Sequence, residues 1–143
     1  MRQESKRNTE GFTLVELMVV LAVLTVLVSM LIPAFTGHIE EAGKKRYLVE
    51  AEKVKDSVEL YLLERYPKGN VDAMMVMEEF SEYELTSAKN PLAEYLLVEC
   101  TDGAYIQNLT LTGDGREVRE LIYVVGGYRI ELADGRQSVK KVR

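Results

Sequence analysis

Between Phe12 and Phe35 the chain carries a single ionisable side chain, Glu16, in an otherwise apolar run. At 1.5 Å per residue a helix over this run is roughly 36 Å long, enough to cross the ~30 Å hydrocarbon core of a bilayer once. Glu16 stands near the start of the run, where an acid costs less than the ~2.5–3.5 kcal/mol of a mid-bilayer position. An ionisable residue inside a membrane segment is rare and marks a functional position by default.

Inside a helical bundle from which water is excluded, the same carboxylate needs a cation within hydrogen-bonding reach. The run supplies none. A chain cut after Gly11 would supply one, because a free amine on Phe12 has an ordinary pKa near ~7.7–8.0. A neighbouring copy shifted by about one helical turn would bring its amine to this Glu16.

A short basic leader ending in Gly11, then Phe12, Thr13, Leu14 and Glu16, and then Pro33 within the run, resembles the signature of type IV pilins and of the pseudopilins of type II secretion and competence systems. The glycine, the aromatic residue after it and the glutamate five places past the glycine agree at once. The resemblance implies that a prepilin peptidase cuts between Gly11 and Phe12 and methylates the Phe12 amine. It implies that Glu16 directs docking into a growing filament and that Pro33 loosens the helix. Thr25 stands where the family often has a glycine. Taken without the family, Phe12 also fits an aromatic anchor at the membrane surface, Glu16 fits an interfacial acid of an ordinary signal anchor, and Pro33 predicts a kink through its missing donor.

The implied fold class is α+β: a long N-terminal hydrophobic spike helix packed on a small antiparallel β-meander of about four strands. The expected organisation is a leader over 1–11, a transmembrane and polymerisation helix over 12–35, its amphipathic continuation over 36–66, and a C-terminal α+β head over 67–143. Basic residues flank the run on both sides, with Arg2, Lys6 and Arg7 before it and Lys44, Lys45 and Arg46 after it, so charge alone leaves the orientation open. The resemblance puts the leader in the cytoplasm.

After a junction at Gly37-His38, the apolar positions Tyr47, Leu48, Ala51, Val54, Val58, Tyr61 and Leu62 trace one helical face, with Glu50, Glu52, Lys53, Lys55, Asp56 and Glu59 largely on the other. Tyr66-Pro67-Lys68-Gly69-Asn70 stops this helix. Ala73–Phe80 reads as a short helix capped by Asp72, its methionines as filler for an irregular core. Thr86 to Pro91 reads as a loop. Strands are expected over Leu96–Cys100, Ala104–Leu111, Leu121–Val125, Tyr128–Leu132 and Ser138–Val142, separated by Thr101-Asp102-Gly103, Gly113-Asp114-Gly115, Gly126-Gly127 and Asp134-Gly135. The two consecutive glycines make the clearest hairpin.

No catalytic constellation is present. One histidine and one cysteine cannot build the usual triads, and no glycine loop that cradles phosphate follows a strand. Cys100, the only cysteine, excludes an internal disulfide and reads as a small buried hydrophobe. Asp102, Asp114 and Asp134 lie in glycine turns without EF-hand spacing, so turn chemistry is the expectation and no metal or cofactor is assigned. A net charge of −5 argues against general nucleic-acid binding. The basic residues Arg136, Lys140, Lys141 and Arg143 read as the protection of a solvated edge strand.

The reading is a structural filament subunit, not an enzyme: a pilin stored in the inner or cytoplasmic membrane and then assembled into an extracellular pilus. A pseudopilin in a periplasmic or wall-spanning pseudopilus is the alternative. Its implied partners are like or related subunits, the prepilin peptidase, the membrane and, indirectly, an assembly platform and its ATPase. The rival from another class is a signal-anchored protein whose small domain binds a ligand as a monomer.

Overall fold

The computed structural model describes residues 12–142, without the side chains of Ala34 and Thr36; residues 1–11, including Gly11, and Arg143 lie outside the described residues. The chain divides into two compact units, one up to Glu40 and one from Glu41.

In the first unit, α1 (Leu14–Arg65) begins. Each described side chain from Leu14 to Phe35 is exposed, leaving a helix long and apolar enough to cross a membrane. Its two described hydroxyls bond back to the helix: Thr25 Oγ1 donates to the Leu21 carbonyl at 2.7 Å and Ser29 Oγ to that of Val26 at 2.7 Å. Neither hydroxyl then needs water at membrane depth. Helix continues through Pro33. It also runs unbroken through Gly37-His38, where the sequence predicts a junction. A single helical glycine costs only about 1 kcal/mol, which the helical residues on either side outweigh.

In the second unit, residues 41–65 of α1 pack on a four-stranded antiparallel sheet of β1 (Tyr105–Leu111), β2 (Val118–Val125), β3 (Tyr128–Ala133) and β4 (Arg136–Lys141), in the order β1-β2-β3-β4. Ala51, Val54, Val58, Tyr61 and Leu62 of α1 are buried with Leu121, Tyr123 and Val125 of β2 and Ile130 and Leu132 of β3. The predicted apolar helix face and the alternation of β2 and β3 are thus the two sides of one core. α1 ends at Arg65, just before Tyr66-Pro67. α2 (Ala73–Ser81) follows, and Asp72 accepts from the Met74 amide at 3.0 Å as its cap.

Gly126 and Gly127 take φ of 55° and 78°, the pair of positive values that a two-residue hairpin needs. A Cβ on Gly126 would collide with the far end of the Tyr47 ring and its hydroxyl. Gly126→Ala is therefore expected to destabilise the protein by about 1–3 kcal/mol, read as a lower melting temperature by circular dichroism. An unchanged melting curve would show that Tyr47 yields freely.

Three expectations need correction. Leu96–Cys100 is not a strand: the segment between α2 and β1 is irregular, with one short 3-10 turn over Ala93–Tyr95. Its amides go to distant side chains instead of a ladder, Leu97 N to Ser57 Oγ at 3.0 Å and Thr101 N to Glu50 Oε1 at 2.8 Å. Asn90, 2% exposed, fixes the same segment by donating to the Phe80 and Tyr83 carbonyls and accepting from Leu92 N. The methionines are not all filler, since Met74 and Met75 are exposed and only Met77 packs against the core. Glu50 is not on the solvated face. It is 3% exposed, and its carboxylate accepts from Thr101 N and Oγ1 at 2.8 Å each and from the Tyr123 hydroxyl at 2.7 Å.

Burial first, and then the bond to Glu50, push the Tyr123 hydroxyl pKa far up, so it stays a donor. Burial also raises the Cys100 thiol away from its reactive thiolate form, in keeping with a buried hydrophobe.

Candidate functional site: the capped start of the apolar helix

The residues singled out at the head of the apolar run form a compact arrangement. Phe12 is 86% exposed and precedes the helix. Thr13 is the N-cap: its carbonyl accepts from Leu17 N at 3.2 Å, opening the helical hydrogen-bond series. Glu16, three places on, accepts from the Thr13 amide and hydroxyl at 2.8 Å each, both through Oε2, while the Glu16 amide donates to Thr13 Oγ1 at 3.2 Å. This is a reciprocal capping box, in which two otherwise orphaned backbone donors are satisfied by side chains.

The box is legible in Thr13-Leu14-Val15-Glu16 as the [ST]-x-x-[DE] pattern, a signal independent of the charge in the apolar run. Its donors are neutral. They orient the carboxylate without supplying a countercharge. They leave its full negative charge in place. Of the other sequence-selected residues, Gly11 lies outside the described residues, and Pro33 stands well along α1, apart from the box. Among the described residues no group of His, Cys, Asp and Glu is placed to hold a metal ion. Asp114 uses its carboxylate within its own turn, accepting from the Thr112 hydroxyl and Arg116 N, and the Thr112 bond is the main cause of its lowered pKa.

A long helix apolar in its first half and amphipathic in its second, a capped acid near its start and a β-meander on its outer half define a pilin-like α+β subunit. Residues 6–32 match the family model of the prokaryotic N-terminal methylation motif. Curated relatives include the type II secretion system core protein G of Aeromonas hydrophila, 32% identical over 74 residues, covering 49% of this chain and 52% of that protein. The core protein G of Dickeya chrysanthemi is 36% identical over 64 residues (43% and 42%), and that of Escherichia coli strain K12 is 33% identical over 72 residues (49% and 48%). The chain spans about half the length of the curated relatives it matches. No solved structure gives a significant match. About half of the chain is thus similar to type II secretion core proteins G, and the start of its long helix carries the prokaryotic N-terminal methylation motif.

Proposed function

We propose that the chain is a subunit of a pilus-like filament, held in the membrane by residues 12–35 and released for assembly by cleavage after Gly11. In this reading residues 1–11 are the leader, 36–66 carry the helix out of the bilayer and 67–143 are the head. The observation that carries it is the uncovered apolar helix with a single, pre-oriented carboxylate at its capped start. Packing against copies of itself would cover that helix, at ~25 cal/mol per Å² where water is the alternative and less where lipid is. Methylation at Phe12 leaves the new terminus an amine, and that amine on one copy neutralises Glu16 on the next. Pro33, which lacks a backbone donor, is the point at which the helix yields during packing.

Within the family, the relatives favour a short pseudopilus of a secretion machine over a long surface pilus, because each one named above is a core protein G of type II secretion. The partners are then like or related subunits, the prepilin peptidase and, at one remove, the assembly platform and its ATPase. The site of action is the cytoplasmic membrane and the space outside it.

Gly11→Ala is expected to leave the leader attached, so that mass spectrometry of the membrane fraction finds the uncut chain. The wild-type chain should begin at a methylated Phe12. An uncut wild-type chain that never enters a sheared fibre fraction would favour the signal-anchored monomer instead.

A further inference from the structure

The sheet of the second unit sets two cations directly opposite one another. Arg129 of β3 and Lys140 of β4 are cross-strand partners, and both are exposed. Their neighbours in the same strands, Ile130 and Val139, are also partners and turn to the core, so Arg129 and Lys140 share the outer face. Like charges facing each other across a pair are destabilising. β4 is an edge strand, and Arg136 and Lys141 add to its exposed positive charge. Among the described residues no ion pair reaches Arg129, Arg136, Lys140 or Lys141.

The opposite charge is gathered in another part of the same unit. From Asp72 to Ala104, Lys89 is the single base against eight acids. Here an open groove of about 470 Å³ runs between the end of α2 and the start of β1, lined by Phe80, Tyr83, Tyr105 and Ile106 with Glu82 and Glu84 beside them. Tyr83 and Tyr105 are 37% and 49% exposed, and Glu82 and Glu84 are exposed. An aromatic groove bordered by carboxylates suits an ammonium on a long aliphatic stem: the stem covers ring surface, and the charge lies over a ring and between acids.

We propose that the β4 side of one copy docks on the α2–β1 groove of a second copy, with the Lys140 stem between Tyr83 and Tyr105, its ammonium against Glu82 and Glu84, and Arg129 neutralised beside it. The two patches differ, so the contact is heterologous, and a heterologous contact that does not close on itself propagates as a filament. This rests on the filament reading above and adds which faces of the heads meet.

The test is a charge exchange in the full-length chain, with membrane level, melting curve and sheared fibre fraction measured in parallel. Arg129→Glu/Lys140→Glu is expected to lower fibre yield at least about tenfold with membrane level and fold retained, as is Glu82→Lys/Glu84→Lys. Co-expressing the two variants, whose altered faces complement each other, should restore copolymer. Wild-type fibre yield from either double variant, or no rescue from folded partners, overturns this contact and leaves the filament reading standing. An empty fibre fraction from the wild-type chain overturns both. Insoluble aggregate from Arg129→Ser/Lys140→Ser, in place of a membrane-held monomer, assigns the cations to edge protection and also overturns the contact.

Discussion

Glu16→Gln is expected to enter the membrane at the wild-type level and to be nearly absent from the fibre fraction. Glutamine at this position still completes the capping box with Thr13, so the helix start is preserved while the charge is removed. If the carboxylate is one half of a buried ion pair between copies, its loss leaves the partner's amine unpaired in a dry interface. Such a break costs about 3–5 kcal/mol, or two orders of magnitude or more in incorporation. Thr13→Val is the informative contrast. It removes the hydroxyl from the box and weakens the helix start by about 0.5–2 kcal/mol, but it keeps the charge, so fibres should persist. Quantitative immunoblotting of membrane and sheared fractions reads both outcomes. Fibres from Glu16→Gln together with none from Thr13→Val would make the cap, and not the charge, the functional element.

The second large effect is on the head. Glu50→Ala removes the acceptor for the Thr101 amide and hydroxyl and for the Tyr123 hydroxyl, and Tyr123 is fully buried. Stranding a buried donor costs about 1–3 kcal/mol, so with three donors affected a loss of at least about 3 kcal/mol is expected, which lowers Tm by on the order of 10 °C or more. Glu50→Gln keeps one oxygen for Thr101 N and Tyr123, both of which bond to Oε1, and its amide can donate to the Thr101 hydroxyl. It should therefore recover most of the stability. Thermal unfolding of the full-length chain in detergent distinguishes these results, and a Glu50→Ala melt within a few degrees of wild type would show that water replaces the lost acceptor.

The same residue marks where the sequence stopped being legible. The α1 face, the Asp72 cap and the hairpin at Gly126-Gly127 follow from local periodicity and turn chemistry, and the structure has all three. The segment before β1 does not follow from local rules. Ser57 and Glu50 hold it from 40 and 51 positions along the chain, a separation that no short-range pattern carries. Glu50 lies three residues after Tyr47 and four before Val54, within the apolar stripe, so its spacing pointed inward even while its charge suggested solvent. Leu96–Cys100 looked like a strand because it is apolar. Leu97 N and, just past the segment, Thr101 N are met by the buried side chains of Ser57 and Glu50, and no ladder forms. At the N-terminus the motif is visible in full, and the Thr13–Glu16 box is written in the same residues, where one side chain serves both the helix end and the charge.

The cap and the proposed ion pair of Glu16 meet in one observable, the cation nearest its carboxylate in the assembled state. A filament structure that resolves side chains at the helix starts measures it directly. The account predicts the Phe12 amine of an adjacent copy within about 4 Å of Glu16, ion-pair distance, with Thr13 still capping from the same chain. A carboxylate bathed in water, or paired with the Phe12 amine of its own chain, would contradict it.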